Sequence, residues 1–105
     1  PHVSIEKIMG FTPAVSNTQT PLFKAIADVS ADEFEAQVVP TVAGGFTDSH
    51  FFRDLGITSY GYSPFAFTTA EFAGVHGNDE RVSVINIERG IRVYYQLLAK
   101  FVGGQ

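Results

Sequence analysis

Two segments of this 105-residue chain combine glycine, histidine and acidic residues, a combination that can bind an anion or a metal ion. The first places bare glycine backbone, a predicted helix start and a histidine together, which can hold an anion such as a substrate carboxylate. The competing interpretation is that the glycines only form a tight turn and Asp48 only caps the helix. The residues alone leave both interpretations open. The segment reads Gly44-Gly45-Phe46-Thr47-Asp48-Ser49-His50.

The second segment, residues 75–81, places His76 on a turn softened by Gly77 and followed by Asp79 and Glu80. Acidic neighbours of this kind can hold one tautomer of a metal-binding imidazole. Zinc normally takes several protein ligands, so an ordinary surface histidine beside acids is the alternative. Nowhere does the sequence contain His-x-x-x-His, His-Glu-x-x-His, a phosphate-binding glycine loop or a Gly-x-Ser-x-Gly elbow.

Helical patterns predict three elements that would position these segments. The first covers residues 20–33, because a threonine caps free amides and the proline after it tolerates the first helical position. The second covers residues 47–55 and ends at Gly56, a left-handed terminator. The third begins at Ser83 and ends at Gly103-Gly104. Its predicted core-facing stripe is Val84, Ile87, Ile91, Tyr94, Leu98 and Phe101.

Three other segments have strand patterns. Residues 2–9 alternate apolar and polar side chains, whereas residues 37–42 are a short β-branched, apolar run typical of a buried strand. Residues 57–62 are predicted to form a second strand of this buried type. Two buried strands joined by a helix predict a right-handed βαβ unit with parallel strands, so the expected fold class is α/β. Residues 63–80 are predicted to form a long loop, whose phenylalanines either wall an apolar pocket or pack the loop onto the core.

Composition excludes several function classes. The chain is 45% hydrophobic and 17% charged, which is typical of a folded domain and not of a disordered segment. Seven basic against eleven acidic residues leave a net charge of −4, which argues against nucleic acid as a partner. No apolar run approaches the roughly 20 residues that cross a bilayer, so no membrane partner is expected. Without cysteine there is no disulfide or thiolate zinc site; the compartment stays open, with the cytoplasm as the expectation.

Four motifs, taken in order, resemble the C-terminal end of the M20 zinc metallopeptidase family, in its aminoacylase and carboxypeptidase S branch. The resemblance extends over about residues 20–101. The motifs are Gly44-Gly45-Phe46-Thr47-Asp48-Ser49-His50-Phe51-Phe52-Arg53, Gly56-Ile57, Tyr60-Gly61-Tyr62-Ser63-Pro64 and His76-Gly77-Asn78-Asp79-Glu80-Arg81.

This resemblance implies a domain division and a set of site residues. Residues 1–12 would be the final strand of an inserted lid, or dimerisation, domain, and residues 13–105 the C-terminal part of a zinc-exopeptidase-type catalytic domain with a long final helix. His76 would be the last metal ligand of a two-zinc site, with Asp79 and Glu80 behind it. Many relatives carry arginine at position 50, so carboxylate recognition would pass to His50, to Arg53 or outside the chain. The expected substrate-binding residues are Gly44, Gly45, Thr47, Asp48, His50 and Arg53.

The activity implied for the complete parent is hydrolysis of an amide bond next to a free carboxylate, in small peptides or N-acyl amino acids, by zinc-activated water. The family's other metal ligands and its general base have no match here, so we expect this piece to be inactive and to bind zinc weakly or not at all. We also expect it to self-associate through surfaces that the missing N-terminal part of the catalytic domain would cover. The alternative is a non-catalytic α/β binding module without metal, which the gene sequence upstream of Pro1 would distinguish.

Overall fold

The structure is a computed structural model that describes residues 2–103. Those residues form four helices: α1 (Pro21–Phe34), α2 (Ser49–Asp54), α3 (Thr69–Ala73) and α4 (Val84–Gly103). They divide into two compact units. The first unit consists of residues 2–17 and 41–61 and contains α2, and the second consists of residues 18–40 and 62–103 and contains α1, α3 and α4.

Helix α1 begins and ends through local hydrogen bonds that its sequence predicts. The Thr20 side chain accepts a hydrogen bond from the Phe23 N–H at 3.1 Å, and Pro21 occupies the first helical turn. At the other end Glu35 adopts a left-handed conformation with φ of 51°, and its N–H donates to the Ala31 carbonyl at 3.0 Å. The predicted helix over residues 20–33 is therefore confirmed.

The hydrophobic core of the second unit lies between α1 and α4. Its centre is Val93, which has no exposed surface. Two charge clusters flank this core: Arg89 and Arg92 each lie within 3.4 Å of the Glu33 carboxylate, and the Lys100 ammonium lies 2.9 Å from Asp28. The buried apolar side chains are Ala25, Ile26 and Val29 from α1, and Val93 and Leu97 from α4.

The long helix is confirmed over Val84–Gly103, with Gly104 outside the described residues, but the predicted core-facing stripe is wrong. Ile91 and Leu98 are 66% and 60% exposed, whereas Asn86, Gly90, Val93 and Leu97 are buried. Apolar residues occupy two adjacent faces of this helix, so spacing alone could not identify the face that packs. The packed face contains Gly90, and Phe65 lies against its backbone.

The predicted α/β class is also wrong, because the described residues 2–103 contain no strand and hence no βαβ unit. The leading strand over residues 2–9 and the pair over residues 37–42 and 57–62 are irregular backbone instead. Most of their apolar side chains are exposed, and Val3 and Val42 keep 84% and 85% of their surface accessible; Val38, Tyr60 and Tyr62 are half-buried. An alternating or apolar pattern leads to a strand only where the segment can pair its backbone with a second strand. In this structure these three segments pair with no other strand.

The predicted loop over residues 63–80 contains a helix as well. Thr68 and Glu71 form a capping box at the start of α3: the Thr68 Oγ1 accepts from the Glu71 N–H at 3.2 Å, and the Glu71 carboxylate accepts from the Thr68 N–H at 2.9 Å. The Thr-x-x-Glu spacing was the signal that could have predicted this helix. Across the described residues, no helix has the combined length and apolar character that crossing a bilayer requires.

Candidate functional site

The glycine-rich segment of the first unit leads into the short helix α2. A Cβ added at Gly44 or Gly45 would meet no atom within 4 Å, so the surrounding space there is open. Thr47 makes the local contact that begins α2, since its Oγ1 accepts from the Ser49 N–H at 3.3 Å. Asp48 occupies the N-cap position without a side-chain capping bond, so capping does not account for its carboxylate. At the far end Gly56 has φ of 77°, which confirms the predicted left-handed terminator.

His50 is the most buried of the predicted substrate-binding residues, with 9% of its surface exposed. Its Nδ1 lies 2.8 Å from the Thr47 carbonyl oxygen. The ring is enclosed by two phenyl rings, with centroid distances of 3.8 Å to Phe11 and 3.7 Å to Phe51. Its other nitrogen, Nε2, is buried and has no hydrogen-bond partner in the structure. An unsatisfied buried nitrogen is costly, so this atom calls for an explanation.

Arg53 joins α2 to two other segments of the same unit. Its Nε donates to the Ser16 Oγ and its Nη2 donates to the Ser59 carbonyl, each at 3.0 Å. The Ser16 hydroxyl also donates to that carbonyl at 2.7 Å, which closes a three-membered network. The guanidinium is therefore half-buried and already engaged in holding residues 16 and 59 against the helix.

In the second unit, His76 follows α3 in a left-handed backbone conformation with φ of 62°. Histidine adopts this region more readily than most residues, but it remains a strained position. The His76 N–H donates to Glu80 Oε2 at 3.2 Å, and the Gly77 N–H donates to the Gly74 carbonyl at 2.8 Å. Glu80 thus contacts the histidine through its backbone and shapes the turn. The side chain of His76 is exposed.

Glu71, which sequence reasoning did not single out, joins the start of α3 to the residue before α4, so its two bonds lie on either side of the turn that contains His76. Its Oε2 accepts from the Thr68 N–H and hydroxyl, each at 2.9 Å, while its Oε1 accepts from the Ser83 N–H at 3.2 Å, at the entry to α4. The hydrogen bonds from Thr68 are the main cause that lowers the pKa of this carboxyl below its ordinary value, and the bond from Ser83 adds to it.

A metal site needs several ligands close together. Among residues 2–103 no group of three histidine, cysteine, aspartate or glutamate side chains lies close enough to hold a metal ion. His76 offers one exposed imidazole, and the Glu80 carboxylate accepts from the backbone beside it. The described residues therefore do not by themselves supply the several ligands that a zinc site takes.

A small apolar cavity of about 180 Å³ lies in the second unit, between the end of α1 and residues 62–66. The Ser30 and Tyr62 hydroxyls share a hydrogen bond of 2.8 Å at its wall. Phe65 lines this cavity, whereas Phe72 is 69% exposed. The phenylalanines of the predicted loop are therefore divided, with one at a pocket wall and another in solvent.

Comparison with known proteins gives three findings. A family model described as Peptidase family M20/M25/M40 matches residues 2–100. The probable carboxypeptidase S-like 2 of Dictyostelium discoideum is 28% identical over 99 residues, which cover 91% of this chain and 19% of that protein. The N-fatty-acyl-amino acid synthase/hydrolase PM20D1.1 of Danio rerio is 27% identical over 103 residues, with the same 91% and 19% coverage. The chain thus spans about a fifth of the length of these relatives.

Proposed function

Because the chain belongs to peptidase family M20/M25/M40, we propose that it is the part of a metal-dependent hydrolase that supplies one metal ligand, His76, and part of the substrate pocket. The reaction is cleavage of an amide bond next to a free carboxylate. The names of the two relatives support this class, since one is described as carboxypeptidase-like and the other as acting on N-fatty-acyl amino acids. The substrate is accordingly a small peptide or an N-acyl amino acid.

The conformation of His76 is the observation that carries the proposal. A left-handed backbone at a non-glycine residue costs free energy, and such residues concentrate at functional sites, where the surroundings impose them. Here the Glu80 carboxylate accepts from the His76 N–H, and the Glu71 carboxylate accepts from the N–H of Ser83 after the turn. A turn held at several points, with its imidazole exposed, is suited to presenting a metal ligand at a defined place.

Zinc is the proposed metal, and when bound it supplies a water activated for attack on a carbonyl. Among the described residues, only His76 is assigned as a ligand. The remaining ligands of the zinc site and the general base belong to parts of the parent outside this chain. The chain alone is therefore expected to have no peptidase or aminoacylase activity. Asp79 and Glu80 are proposed as the acids that support this ligand, and the Glu80 carboxylate accepts from the His76 N–H. In the first unit, Gly44, Gly45, Thr47, Asp48, His50 and Arg53 are proposed to face the substrate.

The proposed division of the chain follows the same assignment. Residues 1–12 belong to the lid domain of the parent, and residues 13–105 to its catalytic domain. The compartment is proposed to be the cytoplasm, and the partners are the small substrate and the rest of the parent.

The deciding experiment uses the product of the complete gene that contains this chain. In that protein, His76→Ala should abolish hydrolysis of an N-acyl amino acid and reduce bound zinc, because the loss of one ligand weakens the whole set. His2→Ala is the matched control, since His2 is also an exposed histidine, and it should leave both measurements unchanged. Full activity of the His76→Ala protein, with unchanged zinc content, would remove His76 from the metal site.

A further inference from the structure

The buried nitrogen of His50 is the feature that the proposed reaction leaves unexplained. A carbonyl oxygen can only accept a hydrogen bond, so the 2.8 Å contact between Nδ1 and the Thr47 carbonyl places a proton on Nδ1. In the neutral ring Nε2 then carries a lone pair and no proton. The structure thus sets the tautomer of His50 and leaves a hydrogen-bond acceptor buried without a partner.

The surroundings of this acceptor are apolar. Phe11 and Phe51 each lie against the imidazole, with their own centroids 6.3 Å apart, and the Phe46 ring lies 5.3 Å from that of Phe11. Bringing a charged ligand into such surroundings costs much more free energy than bringing a neutral one. A carboxylate would also place its lone pairs against that of Nε2, with no proton between them. A neutral N–H donor satisfies the nitrogen and tolerates the phenyl walls.

Phe11 covers this position without being fixed by secondary structure. It belongs to residues 2–17, which contain neither helix nor strand, and its own side chain is 40% exposed. Phe51, in contrast, is held on α2 beside His50. We therefore expect a ligand to displace the Phe11 ring, while the Phe51 ring keeps its position on α2.

We propose that His50 Nε2 accepts a hydrogen bond from the N–H of a neutral amide ligand, which enters beneath Phe11 and packs against Phe51. This deepens the proposed function, on which it rests for the identity of the ligand, because the substrate of an amide hydrolase carries such an N–H. It also changes the part played by position 50 from carboxylate recognition to recognition of the amide group. The carboxylate then falls to other residues.

The test is nuclear magnetic resonance of the chain with 15N-labelled histidine, at a pH of about 8, where an ordinary imidazole is neutral. His50 should show one tautomer with Nε2 unprotonated, while the exposed His2 and His76 serve as internal references. Addition of N-acetylglycine N-methylamide should shift the Nε2 resonance of His50. N-acetylsarcosine dimethylamide, which lacks any N–H, and acetate should not shift it.

A second measurement tests whether Phe11 shields the imidazole of His50. Diethyl pyrocarbonate modifies unprotonated imidazole nitrogens, so modification of His50 should be slow in the unaltered chain and several-fold faster after Phe11→Ala. Phe52→Ala is the control, because Phe52 is an exposed phenylalanine of the same unit with no ring contact to His50 in the structure.

Three outcomes would overturn the inference: a protonated Nε2, no shift on addition of the secondary amide, or equal modification rates with and without the Phe11 ring. None of these readouts depends on metal or turnover. Failure here with an active parent and an essential His76 would refute the role of His50 alone. Full activity of the His76→Ala parent with a positive amide shift would instead remove His76 from the metal site and leave the role of His50 standing, whereas no hydrolysis by the unaltered parent would refute the hydrolase assignment.

Discussion

Gly90 lies in the middle of α4 and is buried against the ring of Phe65. A Cβ built on its backbone would come 2.4 Å from the Phe65 Cε1 and 3.0 Å from its Cζ. Real Cβ atoms essentially never approach another heavy atom as closely as the first of these distances. Gly90→Ala therefore requires the Phe65 ring to move, and this single methyl group tests the packing between α4 and residues 62–68.

Two effects of opposite sign decide the result. Alanine is favoured over glycine inside a helix by about 1 kcal/mol, which would stabilise the chain if the space were open. Overpacking typically costs about 1–3 kcal/mol, and the Phe65 ring is confined by Phe67, whose centroid lies 5.7 Å away. The ring edge is the mobile end of its side chain, so a cost near the middle of that range is appropriate. We expect Gly90→Ala to lower the free energy of unfolding by about 1 kcal/mol.

The assay is urea unfolding followed by far-ultraviolet circular dichroism, at a protein concentration low enough to keep the chain monomeric. The informative control is the same substitution in a Phe65→Ala background, where the contact is absent. There Gly90→Ala should raise the free energy of unfolding by about 1 kcal/mol, so the sign of the effect reverses. Stabilisation of similar size in both backgrounds would show that Phe65 does not lie against Gly90, and it would refute the packing described here.

The remaining predictions concern a cap, a titration and a surface. Thr20→Ala should lower the free energy of unfolding by about 1 kcal/mol in the same urea experiment, because it removes the acceptor for the Phe23 N–H. Thr41→Ala is the control: Thr41 is exposed and lies in irregular backbone, so its replacement should leave the free energy of unfolding unchanged. Glu71 has a lowered pKa in the folded chain, so it stabilises the fold above its unfolded pKa, and this contribution is lost as the pH falls through the folded value. The hydrogen-exchange protection of the Ser83 amide should therefore fall in acid, and Glu71→Gln should abolish that pH dependence; protection that is independent of pH would contradict it. The exposed apolar side chains of α4 should make the chain self-associate, and sedimentation across a concentration series would detect this. Ile91→Lys should reduce the association. A chain that stays monomeric at high concentration would refute the prediction.

The helices were predictable from the sequence because their signals are local. The Thr20-Pro21 pair begins α1 and Gly56 ends the segment after α2, and each acts on hydrogen bonds within a few residues of itself. The α3 helix carried an equally local signal, since the spacing of Thr68 and Glu71 is that of a capping box. The glycine and phenylalanine content of residues 63–80 favours a loop, and it outweighs this short signal when the segment is judged by composition.

The sequence allowed the residues of the candidate site to be predicted, but not the contacts that those residues make. Motif order identified His50 and His76, yet no pattern indicated that Glu80 accepts from the backbone of His76, or that Phe11 covers His50 across almost forty residues of sequence. Arg53 is a similar case, because its bonds to Ser16 and Ser59 join segments that are distant in the chain. Contacts of this kind depend on how segments meet, and single-sequence periodicity carries no information about that.

The sequence by itself determined where the chain can be helical, which residues bear reactive groups, and the family to which the whole pattern belongs. Only the tertiary structure decided that residues 37–42 and 57–62 form no strand and that α4 buries Val93 and not Ile91. The physical reason is the range of the interactions. A helix satisfies its backbone hydrogen bonds within one turn, whereas a strand and a buried face each need a partner from elsewhere in the chain.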